Sequence, residues 1–512
     1  MPTETELKLV LAPEALRRVR RHALIQRLKQ GRGVSKQLKS VYFDTEDLSL
    51  HRNHLVLRVR HIGLQRIQTL KNAAPTAAGL LDRQEWETEI EGDRPEAGPL
   101  DKASVDLPSP GNRLVRNLQP IFTTEVKRTT YRLGADGWEI ELALDEGAVI
   151  GPKGSTPIAE AELELKKGRP RILFDIARDL QDETGARISV SSKSERGYAL
   201  LAGAGPAPRR ARPPLYPDDA TIAQAFQSIS RACAEQLLIN QDVLFATQNP
   251  EAVHQMRVAL RRLISGIRLF ADFLETPETQ MLREEMRWLQ SFLAPARDAE
   301  VFISDILDPL AAEMGGERGF RALKADFTKR RKQTLEAAVK ALAEPRFTTM
   351  ALTMGAWIEG GDWQMAIDEE QRKRLASPAQ DYAVAVLDRL DRRVRRALRG
   401  LEALPPEERH RARIRVKRLR YAIEFFSGLF PGYKTRRIVS MLGRIQDRLG
   451  QLNDIAVAGR LLRDHAEAKG DPQRLWAAGQ IAGWHAGRVG ELLVSAEDGR
   501  RALQRLKRFW RD

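Results

Sequence analysis

Short segments in which polar and apolar residues alternate follow one another through the first two hundred positions of the chain. In the first segment Leu7 and Leu9 fall on one side of a strand and Glu6 and Lys8 on the other, because successive side chains of a strand point to opposite faces. Charged residues recur on one face in the later segments as well. The alternation predicts strands at residues 4–10, 38–44, 54–61, 66–71, 84–91, 124–133, 137–144 and 158–166.

The hydrophobic period changes after residues 202–214, a segment rich in Gly, Pro and Arg. Proline removes backbone donors and disfavours helix in the preceding residue, so we interpret this segment as an interdomain linker. Before it, residues 1–201 form a domain of antiparallel strands with helical insertions near 12–30 and 170–183. After it, residues 215–512 follow a period of about 3.6 and form an all-helical domain. The predicted fold class is α+β.

The helical half contains an internal repeat. The segment that begins at His254 matches the segment that begins at His410 in its basic and apolar positions, and the two lie 156 residues apart. Asp298 and Asp454 are also separated by 156 residues, and each follows its histidine by 44. Several matched residue types at one offset favour two related helical bundles packed about a pseudo-two-fold axis.

Composition and charge narrow the class of protein. Cys233 is the single cysteine, which excludes an internal disulfide and a cysteine-rich metal site. No apolar run approaches the ~18 residues of a membrane span, and the amino terminus lacks a signal-like core. We therefore expect a soluble, cytoplasmic protein of several domains. A net charge of +15 indicates that any macromolecular partner is an anion.

Acids and bases share one face of the predicted strands. Carboxylates at positions i and i+2, such as Glu162 and Glu164, offer the oxygen ligands that Mg²⁺ and Mn²⁺ prefer. So many cations beside these acids would be costly to bury without a bound anion. Since arginine grips phosphate oxygens and lysine neutralises terminal charge, we expect a ligand with several phosphates in a row. The basic residues are Lys8, Arg58, Arg60, Lys71, Lys127, Arg128 and Lys193.

Seven short motifs follow one another through residues 1–200. They are Glu4-x-Glu6-x-Lys8, Tyr42-Phe43-Asp44-Thr45, Leu57-Arg58-Val59-Arg60, Thr69-Leu70-Lys71, Lys127-Arg128-x-x-Tyr131, Glu162-Leu163-Glu164-Leu165-Lys166 and Ser192-Lys193-x-x-Arg196-Gly197. Together they resemble the CYTH domain of the triphosphate tunnel metalloenzymes. The duplicated motif of the helical half is similar to a CHAD domain, the histidine-containing α-helical domain that often follows a CYTH domain. Its signature histidines correspond to His254 and His410.

The resemblance implies a closed antiparallel β-tunnel that binds a triphosphate between basic side chains with Mg²⁺ or Mn²⁺. It implies that phosphate is held by Lys8, Arg58, Arg60, Lys71, Arg128 and Lys193, and we add Lys127 from the basic set above. It implies that metal is held by Glu4, Glu6, Asp145, Glu162 and Glu164. Glu160 continues the alternation and is an alternative ligand. The candidate catalytic residues are Lys8, Glu6 and Arg60.

Basic residues crowd the two helices that carry the histidines. Residues three, four or seven apart share a helix face, so the repulsion within residues 409–420 needs an external anion or several acids to offset it. We predict polyphosphate binding here, with a solvated basic face as the alternative. The candidate residues are His254, Arg257, Arg261, Arg262, His410, Arg413, Lys417, Arg418 and Arg420. An aromatic content of only 6% disfavours nucleic acid, because single-strand binders stack bases on exposed rings.

The predicted function follows from the resemblance to bacterial inorganic triphosphatases. We expect metal-dependent hydrolysis of inorganic triphosphate by the first domain and binding of long-chain polyphosphate by the second. One alternative is a polyphosphate scaffold, associated with polyphosphate granules, that turns nothing over. Another is a hydrolase of a different triphosphate, such as thiamine triphosphate. The sequence indicates no membrane association and no particular oligomeric state.

Overall fold

The computed structural model of the protein describes residues 3–72, 79–103, 105–203, 205–364, 367–430 and 435–511. The side chains of residues 3–4, 81–84, 362 and 466 are not part of that description, so the predicted metal ligand Glu4 lies outside the described side chains. The chain forms two compact units. The first comprises Met1–Arg210, Arg231–Met256 and Ala341–Asp362, and the second comprises Ala211–Ser230, Arg257–Lys340 and Trp363–Asp512.

The first unit is built on an antiparallel sheet. Its alternating segments form strands where the sequence predicts them, and a short ninth strand follows. The described strands are β1 (Thr3–Val10), β2 (Val34–Asp44), β3 (Leu55–Ile62), β4 (Gln65–Asn72), β5 (Leu80–Glu89), β6 (Gln119–Ala135), β7 (Trp138–Gly151), β8 (Gly154–Lys167) and β9 (Arg187–Ile188).

The strands pair in the order β5-β4-β3-β2-β6-β7-β8-β1-β9. The first half of β1 also pairs with β5, from Thr3 opposite Gln84 to Leu7 opposite Leu80. This pairing joins the two ends of the row of eight strands that runs from β5 to β1, and we refer to these eight strands as the barrel. β6 and β7 approach each other closely at Gly147, where a Cβ atom would lie 2.0 Å from the Glu125 carbonyl oxygen. The predicted α+β class, with antiparallel strands first and helices after, is confirmed.

Part of the apolar core of the first unit lies outside the barrel. Leu7, Leu142 and Leu163 point away from the charged face and are 0% exposed. Helices cover this outer surface. The inner face carries the charged residues and also a second apolar cluster, which includes Tyr42, Val56, Phe122 and Ile158. The helices of this part of the chain are α1 (Ala15–Arg21), α2 (Ala23–Leu28), α3 (Ser49–Arg52), α4 (Ala97–Lys102), α5 (Gly111–Asn117), α6 (Arg171–Thr184) and α7 (Lys193–Ala202).

Local sequence signals fix the ends of the helices that flank β9. α6 ends at Gly185, whose φ of 69° is a left-handed conformation that glycine adopts without a Cβ clash. α7 begins with a capping box, in which Ser192 Oγ accepts from the Glu195 backbone N–H at 3.1 Å and Glu195 Oε2 accepts from the Ser192 backbone N–H at 2.8 Å. Such caps stabilise a helix by about 1 kcal/mol. The cap places Lys193 at the first turn of α7.

Helices make up the described structure after residue 221, as the change of period predicts. They are α8 (Ile222–Thr247), α9 (Pro250–Leu269), α10 (Ala271–Leu274), α11 (Pro277–Val301), α12 (Ala311–Met314), α13 (Arg318–Ala343), α14 (Pro345–Gly360), α15 (Glu369–Leu375), α16 (Ala379–Ala397), α17 (Pro406–Phe426), α18 (Arg436–Lys469), α19 (Pro472–Gly487) and α20 (Val489–Gln504). None of the helices in the described residues is both long and apolar enough to cross a membrane.

Some of these helices belong to the first compact unit and not to the second. The segments 231–256, from α8 and α9, and 341–362, which contains α14, belong to the first unit together with the barrel. α14 packs on α6, where Thr349 Oγ1 donates to Gln181 Oε1 at 3.0 Å and a Cβ at Gly355 would lie 2.1 Å from the Phe174 ring. Part of the helical sequence therefore builds the surroundings of the barrel.

Candidate functional site

The inner face of β3, β4 and β5 carries a network of opposite charges. Arg58 Nη2 lies 3.2 Å from Glu85 Oε1, and Lys71 Nζ pairs with the other oxygen of the same carboxylate. Arg60 Nη1 lies 4.0 Å from Glu87 Oε1. Burial raises the pKa of Glu85, but Arg58 and Lys71 outweigh it and lower that pKa to about 2. Glu85 is therefore ionised and partly balances the two cations.

Arg60 is the least compensated cation of this group. Burial, and then the charges of Arg58 and Arg128, lower its pKa from 12.5 to about 10. The Nε atoms of Arg58 and Arg60 are buried and have no hydrogen-bond partner among the described residues. A buried donor without an acceptor is costly, so this face of the barrel is suited to an incoming anion.

The opposite part of the barrel wall carries a group of three buried carboxylates. Asp145 on β7 lies opposite Glu160 in the strand register, and Glu162 on β8 lies opposite Lys8 on β1. Oxygen atoms of Asp145, Glu160 and Glu162 all lie within 4.8 Å of one another. Asp145 and Glu160 are 0% exposed and Glu162 is 8% exposed. The alternation of β7 and β8 brings all three to the inner face.

Cations from three other elements surround these carboxylates. Arg128 on β6 is bidentate to Asp145, with Nε–Oδ1 at 2.7 Å and Nη2–Oδ2 at 2.6 Å. Lys193 at the start of α7 contacts all three carboxylates, at 2.8 Å from Asp145, 2.7 Å from Glu160 and 2.8 Å from Glu162. Lys8 Nζ, which is 2% exposed, lies 3.5 Å from Glu162 Oε1.

The mutual charges hold this cluster in its ionised form. Burial favours the neutral acid, but Lys193 and Arg128 outweigh it and hold the pKa of Glu162 well below its usual value. Burial likewise opposes the charge of Lys193, yet the three carboxylates raise its pKa above the usual value. The groups of this cluster are therefore charged at neutral pH, and the carboxylates do not share a proton.

The donor set fits a hard divalent cation. All three ligand groups are carboxylates, which Mg²⁺ and Mn²⁺ prefer, and no described thiolate or imidazole joins the group within the same distance. Asp145, Glu160 and Glu162 could hold such an ion if a polyanion drew Lys193 and Arg128 toward its own oxygens.

The structure brings most of the predicted site residues together inside the barrel, but not all of them. Lys8, Arg58, Arg60, Lys71, Arg128, Lys193, Asp145 and Glu162 all lie on the inner face or at the cluster. Glu164 is farther along β8, opposite Glu6, and its carboxylate pairs with Lys166. Glu6 acts electrostatically on Lys71 and Arg128 from β1. In the described residues the third member of the carboxylate group is Glu160, the alternative ligand.

Lys127 is a correction to the predicted phosphate-binding set. Its neighbour Arg128 points inward, and adjacent side chains of a strand point to opposite faces. Lys127 is accordingly exposed on the outer face of β6, where it lies opposite Glu146 in the register.

Arg196, Glu85 and Glu87 belong to the charged interior but were absent from the predicted set. Arg196 pairs with Glu160, and Glu85 balances Arg58 and Lys71. A signal for Arg196 was present in the sequence. The spacing of Ser192 and Glu195 is that of a capping box, which starts a helix at Lys193 and brings Arg196, three residues later, to the same face.

A second group of basic residues lies in the second unit, where α9 and α17 bring together side chains from both copies of the repeat. Burial, and then the charges of Arg261 and Arg413, lower the pKa of Lys417 from 10.5 to about 8. Arg257 and Arg420 act on it in the same direction. The Nε atoms of Arg261 and Arg413 are buried without a hydrogen-bond partner among the described residues. We refer to Arg257, Arg261, Arg413, Lys417 and Arg420 as the basic cluster.

The repeated aspartates lie beside the arginines of the basic cluster. Arg257 Nη1 donates to Asp298 Oδ1 at 2.8 Å, and the charge of Arg413 acts on Asp454 at the equivalent place. Asp298 lies on α11 and Asp454 on α18, so each aspartate connects a second helix of its own repeat. This arrangement agrees with a structural role for both acids.

Two predicted polyphosphate-binding residues, Arg262 and Arg418, lie apart from the basic cluster. Arg262 is 4% exposed, pairs with Glu424, and lies over the Phe425 ring at 4.7 Å, so it packs in the interior of the bundle. Arg418 is exposed on another side of α17, where Arg268, Arg393 and Arg415 act on it. His410 is exposed, with Nδ1 2.9 Å from Asn453 Oδ1. His254 lies on α9, one turn before Arg257.

Comparison with known families finds two matches along the chain. The model of the CYTH domain matches residues 2–198, and the model of the CHAD domain matches residues 228–463. The first match covers the barrel and the first part of α7. The second covers the helices that carry both histidines and both repeated aspartates.

Individual relatives agree with these matches. An inorganic triphosphatase of Haemophilus influenzae is 31% identical over 203 residues, and the alignment covers 39% of this chain and 55% of that protein. The chain thus spans about half the length of this relative. An uncharacterized protein of Mycobacterium tuberculosis is 26% identical over 454 residues, covering 83% of this chain and 82% of that one. The crystal structure of the CHAD domain from the plant Ricinus communis is 30% identical, covers 59% of this chain and 98% of its own, and superposes with a TM-score of 0.51.

Proposed function

Because the chain belongs to the proteins that join a CYTH domain to a CHAD domain, we propose that its barrel hydrolyses inorganic triphosphate with the help of Mg²⁺ or Mn²⁺. The observation that carries this proposal is the charged interior of the barrel. There, arginines whose Nε atoms have no hydrogen-bond partner among the described residues lie on the wall opposite three buried carboxylates. The similarity of the first part of the chain to the Haemophilus inorganic triphosphatase supports the choice of substrate.

The side chains of the barrel would act mainly by position and charge. Arg58 and Arg60 would donate hydrogen bonds to the phosphate oxygens through their unpartnered Nε–H groups. Lys8 would stabilise the charge that develops on the transferring group, since its ammonium is buried beside Glu162. A metal held by Asp145, Glu160 and Glu162 would supply further charge neutralisation and a more acidic water. Such fixed charges supply most of the catalysis in phosphoryl transfer.

A panel of substrates tests this proposal. Phosphate release is measured from tripolyphosphate, ATP, thiamine triphosphate and long-chain polyphosphate, each with Mg²⁺ and with Mn²⁺. We expect the highest kcat/KM with tripolyphosphate. Preference for thiamine triphosphate would assign the barrel to another triphosphate. Absence of release from all four, with binding retained, would favour a scaffold at polyphosphate granules.

For the helical domain we propose binding of long-chain polyphosphate at the basic cluster. Five cations converge from two helices, and burial and mutual repulsion depress the pKa of Lys417. Regularly spaced phosphates would relieve that repulsion and give acceptors to the unpartnered nitrogens of Arg261 and Arg413. Nucleic acid is the second candidate. Competition of bound polyphosphate by RNA at one salt concentration distinguishes them, because such affinities depend steeply on salt.

Reversing three charges of the basic cluster should abolish most of this binding. We expect Arg413→Glu, Lys417→Glu and Arg420→Glu together to weaken the affinity for long-chain polyphosphate by at least ~100-fold, since each basic residue at a polyanionic surface contributes about 1 kcal/mol. Titration calorimetry at fixed salt measures the change. The matched control reverses the exposed Arg321, Arg372 and Arg463. Equal losses of affinity in both triple variants would mean that binding depends on the overall positive charge and not on the basic cluster.

The depressed pKa of Lys417 predicts a pH dependence of this binding. The ammonium is charged below its pKa of about 8 and neutral above it, so polyphosphate affinity should weaken as the pH rises through about 8. The dissociation constant measured at pH 7 and pH 9 tests this. Lys417→Arg keeps its charge at both values and should flatten the dependence. An unchanged pH dependence in that variant would assign the titration to another group.

A further inference from the structure

The loop between β9 and α7 touches the charged cluster of the barrel at two points. The carbonyl oxygen of Ser191 accepts a hydrogen bond from Lys8 Nζ at 3.3 Å. Ser192 caps α7, whose first residue is Lys193 with its contacts to three carboxylates. The position of residues 189–192 therefore sets the position of two cations at the proposed triphosphate site.

A carboxylate from α8 holds this loop. One oxygen of Asp242, Oδ2, accepts three hydrogen bonds, from Ser189 Oγ at 2.8 Å and from the backbone N–H groups of Val190 and Ser191 at 3.1 Å each. Residues 189–192 belong to no strand or helix, although the Ser189 backbone N–H donates to the Lys8 carbonyl of β1 at 3.1 Å. Ser189 and Val190 are buried. Removing the acceptor would leave the Ser189 hydroxyl and the Val190 N–H without an acceptor, whereas the Ser191 N–H would keep only its bond to Ser189 Oγ at 3.2 Å.

Residues next to Asp242 extend the contact along β9. Gln241 Nε2 donates to the Ile188 carbonyl at 3.3 Å, and the Arg187 guanidinium lies 4.2 Å from the centre of the Phe245 ring. Burial raises the pKa of Asp242 to about 6, against the hydrogen bonds that lower it. At neutral pH the group is therefore a carboxylate, which accepts stronger hydrogen bonds than a neutral group does.

We propose that Asp242 is a positioning residue for the triphosphate site, acting through the 189–192 loop on Lys8 and Lys193. The inference rests on the proposed hydrolysis of triphosphate. Asp242 lies outside the residues that match the CYTH domain and inside those that match the CHAD domain, although the first compact unit contains it. A residue of the second domain's sequence thus completes the site of the first. Displacing a reacting group by 1 Å can lower a rate by about 100-fold.

The test uses the full chain with tripolyphosphate and three variants. Asp242→Ala should lower kcat by ~10- to 100-fold, and Asp242→Asn, which keeps an oxygen acceptor, should recover part of the loss. Glu359→Ala is the matched control. Its carboxylate belongs to the same unit and is 3% exposed, but it pairs with Arg231 and not with the loop. The control should lose thermal stability and keep kcat.

Hydrogen exchange at the Val190 and Ser191 amides supplies a readout that does not depend on turnover. Both amides should exchange faster in Asp242→Ala and at the wild-type rate in Glu359→Ala. Full kcat in Asp242→Ala, beside an active wild type, would overturn the positioning role alone. So would equal loss of kcat in Asp242→Ala and Glu359→Ala, since it would reflect stability only. A wild type without tripolyphosphatase activity would overturn the proposed function and this inference together.

Discussion

Replacing Lys8 or Arg60 by alanine should lower the rate of tripolyphosphate hydrolysis by at least ~100-fold, as expected when a charge that stabilises a transferring phosphoryl group is removed. Lys8 is 2% exposed and lies between Glu162 and the Ser191 carbonyl, so its ammonium is held in place before substrate arrives. The pKa of Arg60 is lowered to about 10 by burial and by neighbouring cations, so this guanidinium gains most from an anion. Phosphate release under saturating metal measures the effect.

A control on the outside of the barrel separates site chemistry from general charge. Lys39 on β2 is exposed and pairs with Glu125 at 3.1 Å, and Lys39→Ala should keep the wild-type rate. Lys127→Ala should behave in the same way, because that side chain also points outward. Circular dichroism establishes that each variant is folded. Wild-type turnover in folded Lys8→Ala and Arg60→Ala proteins would remove the triphosphate site from the barrel interior.

Neutralising one carboxylate of the group should shift the metal dependence of turnover to much higher metal concentrations. We expect Glu160→Gln and Glu162→Gln each to weaken apparent metal affinity by ~100-fold or more, since mutations of residues behind the ligands already cost 10- to 100-fold. An amide keeps the shape of the side chain and removes the charge that a hard divalent ion prefers. Titration of activity with Mg²⁺ and with Mn²⁺ measures the change.

Glu164→Gln is the informative comparison, because Glu164 shares the inner face but pairs with Lys166 away from the group. We expect its apparent metal affinity to change much less than that of the other two variants. A larger loss in Glu164→Gln than in Glu160→Gln would move the metal toward Glu6 and Glu164, two of the five ligands that the resemblance implies.

Local pattern determined the strands and most of the inner face. A strand repeats every two residues, so the alternation around Lys8, Arg58 and Glu162 indicated both the element and the side on which each charge lies. The same rule could have excluded Lys127 once Arg128 was placed inside. In the helices, a 3.6-residue period likewise separates the buried Arg262 from its neighbour Arg261.

Strand register determines how far along the barrel each inward-facing side chain lies. Glu160, Glu162 and Glu164 alternate identically and all face inward, so the sequence alone left their roles open. The pairing of β8 with β7 places Glu160 opposite Asp145, and Lys193 reaches both from α7. Register and helix docking depend on contacts between residues far apart in the chain, which a local period does not encode.

The sequence by itself determined the α+β class, the strands and helical half, the inward charges and the repeated basic segments, because each follows from a short-range period or a motif. Only the tertiary structure decided which carboxylates form one group, that Arg262 is buried, and that Asp242 holds the loop before Lys193. The last contact joins residues 51 positions apart. Its partners are backbone N–H groups, which every residue except proline carries, so no side-chain pattern marks them.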